Sequence, residues 1–224
     1  IVVEPIQGCL PTIEAKKYLK FLRKISKENN IILIFDELIT GLRTDGSTLQ
    51  NYFKIKPDIS TFGKCFGGGL PMGIIGISKQ ISKKLSSRDK KVFFGGTFSA
   101  NSISTYVGLK TTQYIIKNKK KIFKKLEKNA NFFEKTMNKF FLENAFQAKV
   151  FRFKSLVRIV YTDKKVTDRV QRDFLEMNKL KRINKIIKFL YQKRIYYPAN
   201  GLIFFSDQTS KFDIEYLIKN LKLA

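Results

Sequence analysis

Lys64 sits in STFGKCFGGGLPMG, Ser60 to Gly73, one lysine among five glycines. Most of the 44 Lys and Arg residues lie on runs such as IIKNKKKIFKKLEKN, which a solvated helix face explains. Lys64 instead follows a short apolar strand-like run and precedes a loop too glycine-rich to pack side chains. A lysine at the mouth of a strand, beside bare backbone, points to chemistry. The alternative is an ordinary surface lysine. Asp36 and Glu37 come directly after the apolar run IILIF. The chain has no histidine, which excludes Ser/His and Cys/His nucleophilic pairs and most zinc sites within it. Any general base here is therefore Lys, Asp, Glu, Tyr or Cys, and no metal site is expected. Cys9 and Cys65 form no CxxC pair and imply no disulfide framework, which suits a reducing cytoplasm.

These residues need elements to position them, and the first half of the chain alternates strand and helix. Ile1–Val3 reads as a strand ending at Glu4-Pro5. Thr12 and Glu14 open a helix to about Asn29, with apolar positions at Tyr18, Leu19, Leu22 and Ile25. Ile31–Phe35 reads as a strand covered on both faces. Asp58–Phe62 reads as a strand ending just before Lys64, and Gly73–Ile77 as another. This alternation predicts an α/β unit with a mainly parallel sheet. In such sheets ligands gather at the C-terminal ends of strands, where Asp36 and Lys64 both fall. From Ala100 to about Asn144 the chain reads as helical, one helix from Asn101 and a second from about Lys119. Phe151–Tyr161 alternates in strand fashion, followed by a helix at Arg182–Gln192, a strand at Ile203–Ser206 and a helix at Lys211–Leu221. The expected division is a large domain over 1–112 and a small α+β domain over 113–224.

With 224 residues, 43% hydrophobic, the chain can bury a real core in one large or two small domains. No apolar run is long enough to span a bilayer. The net charge of +26 raises nucleic-acid binding. The basic residues are spread along the whole chain among Ile, Phe and Asn rather than gathered in a patch, which argues against that reading. The start, IVVEPIQG, has no initiator Met and reads as the middle of a strand, so the chain is expected to be the C-terminal part of something longer.

Four segments, VVEPIQG, IFDELITGLR, PDISTFGKCFGGGLPMG and GGTFSAN, resemble in order and spacing the class III aminotransferases. Those are pyridoxal 5'-phosphate (PLP) enzymes of fold type I, and the resemblance is closest to the glutamate-1-semialdehyde 2,1-aminomutase branch. It covers nearly all of this chain. The N-terminal part, which in the family supplies the ring-stacking aromatic and more of the phosphate cup, lies outside it, so the chain alone is expected to bind PLP poorly. The resemblance implies that Lys64 forms the Schiff base with PLP and then moves the Cα proton. A dry strand end would favour its neutral amine. It implies that Asp36 pairs with the pyridine nitrogen, so that the ring can accept electrons. The alternative for Asp36 is a strand-end cap. Thr97, with Gly96 beside it, resembles the residues that bind the cofactor phosphate from the neighbouring subunit. That implies a homodimer with a shared site; a helix N-cap cluster is the alternative. Glu4 matches the Glu of the VEP turn, either pairing with a basic group near the substrate or ending a strand. Glu37 is read as structural, holding the turn into Thr40-Gly41. The run Gly67–Gly69 lets backbone pass close to its neighbours; neither GxGxxG nor GxxxxGK(S/T) is present, which argues against a nucleotide loop.

Departures from the family bear on substrate. Many class III transaminases carry Gln three residues after the Asp; here Ile39 takes that cofactor-facing position, in the manner of the aminomutase branch. Many also carry a C-terminal arginine for the substrate carboxylate, and none lies between Tyr196 and Ser210. The segment SLVRIVYTDKKVTDRVQRDF does not match the aminomutase well. The resemblance therefore implies a cytoplasmic, homodimeric PLP-dependent aminotransferase that passes an amino group from a small-molecule donor to a keto or aldehyde acceptor. The alternatives are the intramolecular aminomutase and a non-catalytic protein of the PLP fold.

Overall fold

The computed structural model describes residues 1–12, 15–85, 92–93 and 95–224. The chain divides into two compact units, Ile1–Ile6 with Glu14–Lys120, and Gln7–Ile13 with Lys121–Ala224. The first is built on a four-stranded sheet in the order β1 (Val2–Val3), β2 (Ile34–Asp36), β3 (Ile59–Gly63), β4 (Gly73–Ile77). β1, β2 and β3 are parallel, and β4 returns antiparallel to β3. The unit is thus α/β with a mainly parallel sheet, as the alternation predicts. Helix α1 (Ala15–Glu28) buries Leu19 and Leu22, and α2 (Leu49–Phe53) buries both of its ends. α3 (Lys79–Leu85) follows β4 and buries none of its side chains. The predicted opening of the first helix at Glu14 lies outside the described residues.

The strand expected at Ile31–Phe35 is shorter and starts later. Its ladder spans Ile34–Asp36, and Ile31 and Ile32 are exposed. The reason is a side chain: Asp58 Oδ2 accepts the Leu33 N–H at 2.8 Å and pairs with Arg23 at 3.0 Å. That carboxylate occupies a donor a neighbouring strand would otherwise take.

The two helices expected after Ala100 are one, α4 (Ser102–Glu143). The charged run KNKKK interrupts the apolar pattern without breaking the backbone, because lysine is a good helix former and the run holds neither glycine nor proline. Residues up to Lys120 count with the first unit and those from Lys121 with the second.

The second unit carries a three-stranded antiparallel sheet, β5 (Lys149–Phe153), β6 (Leu156–Val160) and β7 (Leu202–Phe204), with β6 in the middle. The alternating stretch Phe151–Tyr161 is therefore a hairpin rather than one strand, and it turns at Lys154, whose φ of 54° is left-handed. β6 is buried along its whole length. Helices α5 (Arg169–Met177), α6 (Leu180–Gln192) and α7 (Lys211–Leu223) complete the unit. α7 starts in a capping box between Ser210 and Asp213. Phe133, Met137, Leu156, Ile159, Leu190 and Ile214 are its largest fully buried apolar side chains. Among the described residues no helix is long and apolar enough to cross a membrane.

Candidate active site at the strand ends

Three adjacent parallel strands end at one edge of the first sheet, and each end carries a charged residue. Glu4 follows β1, Asp36 closes β2, and Lys64 follows β3. The ladder aligns them: Val3 faces Phe35, and Asp36 faces Thr61, three residues before Lys64. A parallel ladder in register delivers its C-terminal ends side by side, so residues 32 and 60 positions apart from Glu4 arrive on one edge.

Asp36 is half-buried and held from one side. Its Oδ1 accepts the Leu38 backbone N–H at 3.0 Å and the Thr61 hydroxyl at 3.2 Å. Among the described residues no donor reaches Oδ2. One oxygen is anchored and the other is available, a suitable arrangement for pairing with a cationic N–H. Nothing in the residues around Thr61 marks it as a partner of Asp36. Its signal was the strand register, which only pairing reveals.

Lys64 begins a 3₁₀ turn, Lys64–Gly67, and has φ 50°. A non-glycine residue in the left-handed region carries strain that surrounding structure must hold, and such residues gather at functional sites. The loop that follows it packs glycine against helix. A Cβ on Gly68, φ +60°, would lie 2.2 Å from Thr111 Oγ1. One on Gly108 of α4 would lie 2.5 Å from the Phe66 carbonyl oxygen. Bare backbone on both sides lets the loop after Lys64 lie directly on α4. Lys64 itself is exposed, so the dry surroundings expected for its amine are not supplied by the described residues.

Glu37 is fully buried, and its burial raises the carboxyl above its ordinary range against the pull of its hydrogen bonds. Oε2 accepts the Leu49 N–H at 2.6 Å and the Thr40 hydroxyl at 3.3 Å, and Oε1 accepts the Gln50 N–H at 3.2 Å. It holds the turn into Thr40-Gly41, and it also caps α2, an element the sequence pattern left unmarked. The charge that follows Asp36 thereby fixes the backbone that presents it.

The other candidates stand apart from this group. Ile39 is half-buried in the turn after β2. Gly96 and Thr97 are exposed in the segment before α4, where the Gly96 carbonyl accepts the Ser99 N–H at 2.9 Å. No hydrogen bond among the described residues ties them to the strand ends. Asn101 caps α4, its Oδ1 accepting from Ile103 and Ser104 at 3.1 Å.

A family model described as Aminotransferase class-III matches residues 1–169. The chain is 33% identical over 204 residues to a glutamate-1-semialdehyde 2,1-aminomutase of Methanocaldococcus jannaschii, covering 89% of this chain and 46% of that protein. It is 42% identical over 133 residues to the aminomutase of Methanobrevibacter smithii, covering 59% of this chain and 30% of that one. An omega-transaminase of Sphaerobacter thermophilus matches its fold with a TM-score of 0.88 at 22% identity, over 99% of this chain and 50% of that chain. A glutamate-1-semialdehyde aminomutase of Pseudomonas aeruginosa matches with a TM-score of 0.84 at 16% identity, with the same coverage. The chain spans about half the length of the curated relatives named here, or less. The fold is that of the transaminases, fold type I, and the chain belongs to the class III aminotransferase family.

Proposed function

We propose that this chain carries the lysine of a PLP-dependent aminotransferase, which moves an amino group from a small-molecule donor to a keto or aldehyde acceptor. The observation that carries this reading is the Asp36 carboxylate, with Oδ1 tied to Leu38 and Thr61 and Oδ2 open, on the strand edge that also presents Lys64. This donor set fits PLP: an anion for a protonated ring nitrogen and a primary amine for a carbonyl carbon. Bound there, PLP would supply a carbonyl that takes up the amino group and a ring that accepts electrons from the substrate Cα.

The work of the chain's own residues follows. Asp36 Oδ2 would keep a proton on the ring nitrogen, and Thr61 and Leu38 would hold the carboxylate in place for it. The Lys64 Nζ would bind the cofactor covalently. Once released, it would take the proton from the substrate Cα and return it, which answers how a site without histidine moves protons. Thr97 and Gly96 would hold the phosphate, from the neighbouring subunit of a homodimer, and Ile39 would face the cofactor without a hydrogen bond. Glu4 would stand at the substrate side. Cofactor binding falls to residues 1–112 and the small domain to 113–224, and the protein is proposed to work in the cytoplasm.

The identities with relatives called glutamate-1-semialdehyde 2,1-aminomutase favour a second reading, in which one substrate supplies both amine and carbonyl. Turnover of glutamate 1-semialdehyde with no separate donor would select it. The first test is covalent. The full-length protein is incubated with PLP, reduced with borohydride, digested, and the pyridoxyl adduct mapped by mass spectrometry. One equivalent on Lys64 is expected. Label scattered over surface lysines would overturn the assignment and direct attention to the non-catalytic reading. DNA affinity falling steeply with salt would instead support nucleic-acid binding.

A further inference from the structure

The second unit buries two guanidinium groups and gives them one well-buried carboxylate to share. Arg158 stands in the middle of β6, between Phe151 on β5 and Leu202 on β7. Arg172 and Glu176 lie one turn apart on α5. The Arg158 and Arg172 side chains are each 6% exposed, and that of Glu176 10%. Arg158 Nη2 donates to Glu176 Oε2 at 3.2 Å, and Arg172 Nε lies 3.5 Å from the same oxygen. Glu176 Oε1 is already taken by the Tyr161 backbone N–H at 2.9 Å. Arg172 Nη1 donates to the Cys9 carbonyl at 2.7 Å, and its Nη2 meets Asp173, half of whose side chain lies in solvent.

This leaves donors over. Nε of Arg158 and Nε of Arg172 are both buried without a hydrogen-bond acceptor. Among the described residues no acceptor meets Nη1 of Arg158. Burial first, and then the neighbouring Arg172, press the Arg158 guanidinium below its ordinary pKa, against the pull of Glu176. Buried polar groups are nearly always hydrogen-bonded, and a guanidinium has five N–H groups to satisfy.

Both arginines line a cleft of about 730 Å³ that belongs wholly to this unit. Its size is that of a small-molecule site. Arg169 adds a third cation at the rim, against Asp173 and Glu176, so the lining carries one positive charge in excess. Phe174 and Met177, 69% and 56% exposed, also line it and offer an apolar surface. Asn200 and Gly201 lie in the lining too. Tyr161 adds no negative charge, because burial pushes its hydroxyl up to about 12.

We propose that this cleft binds a small organic anion, with its carboxylate or phosphate on Arg158 and Arg172 and its apolar body along Phe174 and Met177. The spare N–H groups of Arg158 on the strand, with Nε of Arg172 on the helix, supply donors for the oxygens of such a group. None of the strand-end candidate residues lines the cleft, so the inference stands or falls without the PLP assignment.

The test titrates the protein, without added PLP, with benzoate, phenyl phosphate and inorganic phosphate by calorimetry at physiological salt. Amide NMR shifts at Asn200 and Gly201 report the location. The expected result is saturable one-site binding of benzoate or phenyl phosphate, the tighter of the two naming the head group, with shifts at both amides. Arg158→Gln should weaken it at least tenfold. Should that variant fail to fold, Phe174→Ser on the exposed lip should weaken phenyl phosphate at least threefold and leave inorganic phosphate unchanged. Absence of saturable binding, binding without shifts at Asn200 and Gly201, or affinities that neither variant alters would overturn the proposal.

Discussion

Replacing Glu37 by alanine removes the acceptor that three donors share in the interior of the first unit. The Leu49 N–H at 2.6 Å and the Gln50 N–H at 3.2 Å open α2, and the Thr40 hydroxyl at 3.3 Å closes the turn after β2. Each buried donor left unpaired costs about 1–3 kcal/mol. Gln50 is half-buried and water can reach its vicinity, so the Leu49 N–H carries most of the loss. Removing the carboxylate also relieves its desolvation, which opposes the loss. The net expectation is about 2–4 kcal/mol. At about 2–4 °C per kcal/mol for a chain of this size, the thermal midpoint should fall by roughly 5–15 °C. Far-UV circular dichroism during heating reads it. The pH dependence gives an independent check through Glu37→Gln. Burial raises the carboxyl, so the folded state binds its proton more tightly than the unfolded chain does. This contribution to stability is gained as pH falls through the raised folded value toward the ordinary carboxylate range, and lost as pH rises. Wild type should therefore gain on Glu37→Gln as pH falls through that window. A loss below about 1 kcal/mol in Glu37→Ala would refute the reasoning. It would mean that water or a local shift satisfies α2 without this side chain.

Asp36→Asn keeps an oxygen for Leu38 and Thr61 but removes the anion. Labelling of Lys64 by PLP and borohydride should persist while amino transfer, followed in single turnover, falls at least about a hundredfold. Gly201→Ala forces a side chain into φ +69° and sets a Cβ 2.9 Å from the Ile159 carbonyl oxygen; urea unfolding should show a loss of about 1–3 kcal/mol. Ser210→Ala breaks the capping box of α7, in which Ser210 Oγ accepts the Asp213 N–H at 3.1 Å. Calorimetry should show a loss of about 1 kcal/mol, with the fold retained.

Several features were legible in the residues alone because their causes are local. A short apolar run ended by Asp36, a glycine-rich loop after Lys64 and an alternation of strands and helices each follow from the chemistry of a few neighbouring residues. Together they led to the α/β sheet and to one edge of it. The register that sets Thr61 against Asp36 is a pairing across 25 positions, and nothing near Thr61 marks it. Glu37 could be read as a turn residue, but its hold on Leu49 and Gln50 depends on where α2 packs. The charged run near Lys119 reads as a boundary because the apolar pattern lapses there. Backbone propensity, which has no such lapse, carried α4 through. Arg158 and Glu176 are, in the sequence, two charges among 62. Only the packing of α5 over β6 takes both out of water and leaves the arginine with donors to spare. Local pattern marks most of the segments that become strands and helices; long-range contacts set where β2 begins, and burial and pairing decide which charges have work to do.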